Sequence, residues 1–171
     1  KILRKKEYHI VKPESLEDPL KSQKGQVRFL LEVVFNYKRN GLKRNGYFVD
    51  LAAADPEFLS NTFFLEKHLG WKGLLIEPNP YFAKRLSANR KSKVLELVIG
   101  SKENQEVNFR IDNGELGGIV GDEFDNNKFT RSNQLKHAKI IKYRTKTLLQ
   151  TLLENNAPKE MDYLSLDIEG A

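Results

Sequence analysis

The sequence contains no cysteine among its 171 residues. Disulfides, thiolate metal sites and cysteine nucleophiles are therefore excluded from it, although that absence does not identify a compartment. Histidine is scarce: His9, His68 and His137 share no ligand-like spacing, so a zinc site is not expected. Long apolar runs are missing as well. No window approaches the roughly 18 consecutive apolar residues that span a membrane, so membrane insertion of this segment is not expected. The basic start Lys1–Lys6 is not followed by the apolar stretch of a signal peptide. Aromatics are few in the basic clusters at 38–44 and 84–93, where a nucleic-acid groove would interleave the two. The formal charge of +6 is read as solvated helix faces, and nucleic acid is not an expected partner.

What remains is enough for one domain with a core. The chain opens on a lysine and stops at Asp-Ile-Glu-Gly-Ala; both ends read as cut, and a fragment is expected. Residues 1–24, charged and interrupted by Pro13 and Pro19, are expected to be an irregular lead-in to a domain over 25–171.

Three runs stand out in that domain: Gly46-Tyr-Phe-Val-Asp50-Leu-Ala, Gly73-Leu-Leu-Ile-Glu77-Pro-Asn-Pro and Tyr163-Leu-Ser-Leu-Asp167-Ile-Glu169-Gly170. Each is apolar and ends in a carboxylate. Such a run suits a strand buried on both faces of a parallel sheet. Ligands of these sheets bind outside the carboxyl ends of the strands, so Asp50, Glu77 and Asp167 are expected to share one site.

Helical patterns alternate with the strands. Val27, Leu30, Leu31, Val34 and Phe35 form a stripe over about 26–39, closed by Asn40-Gly41. Asp55-Pro56-Glu57 carries the cap, the first-turn proline and the acid of a helix start, and that helix should run to Leu69. Asn79-Pro80 repeats the signal for a helix to about Asn89 with Phe82 and Leu86 on its buried face. A third strand is expected over 94–99, others at 107–111 and 140–144, a turn at 114–118, and a short helix from Thr147 carrying Leu148, Leu149, Leu152 and Leu153. The polar stretch 121–137 has no clear period. The alternation predicts an α/β doubly wound domain with a parallel sheet. Its insertion at about 103–145 is the expected seat of acceptor specificity.

Glu77 follows Asp50 by 27 residues, one strand–helix–strand unit. An acid ending the second strand of a nucleotide-binding domain takes ribose hydroxyls, because two carboxylate oxygens receive two O–H donors. Spacing alone leaves a second reading open, in which Glu77 caps a strand in solvent or pairs with a lysine. Residues 51–55 hold no glycine, and a pyrophosphate needs glycines for close backbone approach. A dinucleotide, and with it a nicotinamide dehydrogenase, is disfavoured. The N–H groups of a helix opened at Asp55-Pro56 would favour a ligand carboxylate. A ribose diol, a carboxylate and no pyrophosphate describe S-adenosylmethionine. Asp167 and Glu169 would share a face of a continuing strand. They read either as a pair that orients an acceptor hydroxyl and takes its proton, or as strand-end acids held by backbone N–H groups or a lysine.

The runs Phe48-Val-Asp50-Leu-Ala-Ala, Ile76-Glu77-Pro78-Asn79-Pro80 and Asp167-Ile-Glu169-Gly170-Ala171, in this order, resemble the FkbM family of S-adenosylmethionine-dependent methyltransferases. The similarity covers roughly residues 22–171. It looks nearest to eukaryotic Star-like members, on Ser22-Gln23-Lys24-Gly25-Gln26, Ser60-Asn61-Thr62 with Leu65-Glu66, and Gly70-Trp71-Lys72-Gly73-Leu74-Leu75. The resemblance implies a Rossmann-like class I methyltransferase fold, here truncated after the fourth core strand. It implies S-adenosyl-L-methionine as cofactor and O-methylation of a hydroxyl on a sugar or small metabolite, hence a small-molecule or glycan acceptor. Asp50, Ala52, Ala53 and Asp55 would flank the methionine part, Glu77 would bind the ribose, Gly100 and Ser101 would lie by the adenine, and Pro78 would also be cofactor-binding. Asp167 and Glu169 would be the catalytic pair facing the acceptor. Active members typically carry glycines after the strand-one acid, where this chain has alanines. The Star-like similarity implies an alternative: a protein without catalysis, acting in membrane-cargo trafficking through the secretory pathway. An enzyme would be cytoplasmic, whereas a Star-like protein with an upstream anchor would face the endomembrane lumen. Oligomeric state is not legible.

Overall fold

A computed structural model describes residues 22–112, 114, 117–124, 126–127 and 135–168. Most of the lead-in expected over 1–24 lies outside them, as do Glu169, Gly170 and Ala171. Strands β1 (Tyr47–Leu51), β2 (Lys72–Ile76), β3 (Lys93–Leu95) and β7 (Tyr163–Leu166) form a parallel sheet in the order β3-β2-β1-β7. Phe48 pairs with Gly73 on one side and Tyr163 on the other. Strands β4 (Glu106–Arg110), β5 (Gly118–Ile119) and β6 (Ile140–Arg144) form a separate antiparallel sheet in the order β5-β4-β6. The insertion is thus a small sheet of its own, which sequence patterning did not reveal.

Alternation along β1 divides the core. Phe48 packs with Val27, Leu31, Leu65, Trp71 and Leu86 on one face, while Val49 and Leu51 pack with Ile76, Leu148 and Leu152 on the other. Helices α1 (Gln26–Phe29), α3 (Phe63–Leu69) and α4 (Pro80–Asn89) supply the first layer, and α5 (Leu148–Glu154) the second. This double cover is why the strand runs are continuously apolar. Gly46 lies under Trp71: a Cβ there would stand 2.6 Å from the indole ring. The indole Nε1–H donates to the Lys43 carbonyl at 2.8 Å.

Two expected helices are redrawn. The one expected over 26–39 passes from α1 into a π-turn at Leu30–Val34, breaks at Asn36 (φ 46°) and resumes as α2 (Tyr37–Asn40). The wider turn keeps Leu30 and Leu31 buried but rotates Val34 out of the stripe to 58% exposure. The helix expected from Asp55 starts only at Phe63. Asp55 does cap, its Oδ1 accepting from the Glu57 and Phe58 amides at 2.9 and 2.8 Å. What it caps is a turn, because Leu59 takes φ 56° and bridges to Ser22. The strand expected over 94–99 pairs with β2 only through 93–95; Ile99 then bridges to Lys146. By contrast, α4 follows its signal: the Asn79 side chain accepts from the Tyr81 amide and Pro80 opens the helix.

Arg90, just beyond α4, is a buried junction. Its side chain has 0% exposure and its Nε donates to Glu66 Oε1 at 3.0 Å. One terminal nitrogen donates to the Pro56 carbonyl and Ser60 Oγ, each at 3.2 Å, and the other to Thr62 Oγ1 at 3.1 Å. Removing one partner of such a buried pair leaves the remaining charge and acceptors unsatisfied. Arg90→Ala is therefore expected to lower the unfolding free energy by about 3–5 kcal/mol in a urea titration. A loss below about 1 kcal/mol would mean that the junction is solvated.

Candidate functional site

The carboxyl ends of all four parallel strands open into one cleft. The strand order sets its layout. Leu97–Ile99 beyond β3 come first, then Glu77–Asn79 beyond β2, Ala52 and Ala54 beyond β1, and Asp167 with Ile168 beyond β7. Three strand spacings make a slot roughly 14 Å long. The inserted sheet roofs the β3 end with Phe109, Gly118 and Ile119.

Glu77 forms the floor at 5% exposure. Its Oε1 accepts from the Asn79 amide at 2.7 Å and its Oε2 from the Ala54 amide at 2.9 Å. A carboxylate has about four acceptor sites, so two remain for a ligand. Burial pushes its pKa up to about 7, with nearby Asp50 adding to the rise against the two N–H bonds. The rest of the Glu-Pro-Asn-Pro turn serves the inserted sheet. Tyr143 of β6 donates its hydroxyl to the Pro78 carbonyl at 2.5 Å, and Asn79 Nδ2 donates to the Ile111 carbonyl at 3.1 Å. The motif thus joins the β1 loop, the helix start and the second sheet at one point.

The glycine-free loop has a glycine-like shape. Ala52 and Ala54 both lie in the left-handed region, at φ 60° and 49°. The Ala52 and Ala53 amides donate to the Ile76 carbonyl at 2.9 and 3.3 Å, which ties the loop to the end of β2. Alanine here reproduces the turn that glycine adopts freely, at a strain cost.

The other expected site residues divide. Asp167 and Pro78 line the cleft, as do Ala52 and Glu77. Asp50 does not: at 2% exposure it points to the α3 side, where Thr62 donates to its Oδ2 at 2.7 Å and Ser165 also bonds it. Burial raises its pKa to about 6. Ala53 is buried in the core cluster beside Phe48. Asp55 lies on a neighbouring surface hollow, ion-paired with Arg85 at 2.7 Å. Gly100 packs against Thr145 and Ser101 is exposed; the cleft at this end is lined instead by Leu97, Val98 and Ile99. The chain leaves β3 toward Lys146, which turns residues 100 and 101 away. Glu169 lies outside the described residues. Gln23 reaches the cleft unforeseen, because no strand-end rule points to a residue ahead of the first helix.

An acid-floored slot across the ends of a β3-β2-β1-β7 sheet is consistent with the family implied by the motifs. The profile of the Methyltransferase FkbM domain matches residues 50–171, beginning at Asp50 and including every strand of both sheets from β2 onward. The chain belongs to the FkbM methyltransferase family. Its parallel α/β sheet fits the Rossmann-like fold of methyltransferases. Neither the curated proteins nor the solved structures searched contain a match to the chain.

Two measurements address the site's energetics. Left-handed geometry costs an L-residue roughly 1–2 kcal/mol, offset by about 0.5–1 kcal/mol of glycine entropy. Ala52→Gly and Ala54→Gly are each expected to raise stability by up to about 1 kcal/mol in denaturant titrations. A loss at both positions would mean that the strain is not there.

The raised acids set a pH dependence. Glu77 and Asp50 hold protons in the folded state up to about pH 7 and 6, whereas their ordinary values are 4.5 and 3.8. In that window the folded chain binds more protons than the unfolded one, so stability falls as pH rises through it. Melting temperature is expected to climb from pH 8 down to about 5. Below that, Asp55 and Glu66 reverse the trend, since their hydrogen bonds outweigh burial and hold their carboxyls below the ordinary value. Glu77→Gln is expected to remove the part of the climb nearest pH 7; an unaltered profile would contradict the raised Glu77.

Proposed function

We propose that this FkbM-family protein is an S-adenosylmethionine-dependent O-methyltransferase acting on a hydroxyl of a sugar or small metabolite. The observation that carries this reading is the charge of the slot. Among the described residues, its lining contains the carboxylates Glu77 and Asp167 and no lysine, arginine or histidine. Such a lining offers a phosphate no cation, and a net cationic nucleoside such as S-adenosylmethionine would draw Glu77 into its ionised form and so suits the slot.

Bound there, the cofactor supplies an activated methyl group on a sulfonium. Glu77 holds the ribose diol with its two free acceptor sites. The apolar walls Leu97, Val98, Phe109 and Ile119 take the adenine and exclude water from it. Asp167 lies at the opposite end of the slot, where it orients the acceptor hydroxyl and takes its proton as the oxygen is methylated. We propose Glu169, two residues further along the sequence, as the second acid of the pair facing the acceptor. A neutral hydroxyl compound suits this end better than a nucleic acid, whose phosphates would meet Asp167. The non-catalytic alternative rests on the Star-like similarity as well as on the missing glycines, and the left-handed alanines bear only on the glycines.

Calorimetric titration with S-adenosylmethionine tests the reading. Micromolar binding is expected, weakened about 10- to 100-fold by Glu77→Gln, which loses charge-assisted hydrogen bonds to the diol. No binding by the folded wild-type protein would overturn it.

A further inference from the structure

An amino-acid head group needs a partner for its carboxylate, and the slot offers few. The helix N-terminus expected at Asp55 does not exist, since α3 starts at Phe63. The loop amides are also occupied: Ala52 and Ala53 donate to Ile76, and Ala54 donates to Glu77. Four polar side chains line the slot among the described residues: Gln23, Glu77, Asn79 and Asp167. Glu77 and Asp167 are acids. Asn79 is engaged at both ends, accepting from Tyr81 and donating to Ile111. Only the Gln23 carboxamide is a neutral donor without a hydrogen-bond partner among the described residues.

Its position is built rather than incidental. Lys24 (φ 47°) and Gly25 (φ 75°) both take left-handed geometry to turn the chain after it. The Gln23 amide donates to the Leu59 carbonyl at 3.2 Å, and Ser22 Oγ accepts from the Val27 amide at 3.2 Å. The turn is therefore pinned through Leu59 to the segment that follows β1, and Gln23 lines the slot together with Ala52, Ala54 and Asp167. A strained non-glycine residue held by its surroundings is typical of a binding element.

We propose that Gln23 is a ligand-binding residue, its carboxamide N–H donating to the carboxylate of the amino-acid head of an adenosyl ligand. Gln23 lies outside the residues matched to the family. The inference rests on the reading of the slot as an S-adenosylmethionine site, and its test separates the two.

Gln23→Ala and Gln23→Glu would be titrated with S-adenosylmethionine and with its decarboxylated form, which lacks only the carboxylate. Gln23→Ala is expected to weaken the first about 10- to 100-fold and to leave the second unchanged. Gln23→Glu places like charges together and is expected to weaken the first further while sparing the second. Melting temperatures should stay at the wild-type value, because the side chain holds nothing in the unliganded fold. Equal losses on both ligands, or no loss on either, would overturn the assignment while leaving the slot's function standing. A wild-type protein that binds neither ligand would overturn both.

Discussion

Arg90 leaves the end of α4 with its guanidinium fully enclosed, and acceptors from Pro56, Ser60, Thr62 and Glu66 converge on it. Backbone pairing cannot do what this side chain does. The segment between β1 and α3 has neither helix nor sheet of its own, and a buried charge tolerates few arrangements of its partners. Thr62, fixed by Arg90, in turn donates to Asp50 at 2.7 Å. The acid that ends β1 is thereby committed to the interior, and the backbone beyond it is left to line the slot. Glu66 completes the junction by accepting from the Lys91 and Ser92 amides, which ties α3 to the chain entering β3.

Glu77 is the second point of dependence, and it works against stability. Its carboxylate sits in a place that favours the protonated form, yet two backbone amides keep it aimed and leave its other lone pairs open. Sites commonly hold such mismatches between what folding prefers and what a ligand needs. The neighbouring Pro78 carbonyl and Asn79 side chain bind the inserted sheet, so the floor and roof of the slot share one turn.

Local signals were legible wherever one segment decides its own structure. Asn79-Pro80 begins a helix at the expected residue, and Thr147 caps α5 through the Gln150 amide. The acid-ended apolar runs are β1, β2 and β7, in a parallel sheet as their composition implied. Asp55-Pro56 carried an equally good local signal and still made only a turn. Its competitors were distant: Ser22 pairs with Leu59, and Arg90 takes the Pro56 carbonyl, which a helix would have paired within itself, together with the Ser60 hydroxyl. The same limit hid Gln23, brought to the slot by that pairing, and kept the second sheet from being seen, since β4 and β6 join across residues 106–144. Of the site, Glu77 and Asp167 could be read from strand ends. The alternating pleat that turns Asp50 inward could be read too, but only once its neighbours Val49 and Leu51 were assigned to the opposite face.

The pairing of β1 with β7 joins Phe48 to Tyr163 across the whole of the insertion. Loops of that length close late and slowly compared with the adjacent β1–β2 unit. During synthesis, β1, β2 and β3 therefore have everything they need to associate long before β7 leaves the ribosome. Until then one edge of β1 is bare and Asp50 lacks Ser165. The Glu77 floor of the slot can form before its Asp167 end exists, and the interval between the two is when exposed β1 is most open to chaperones and to mispairing.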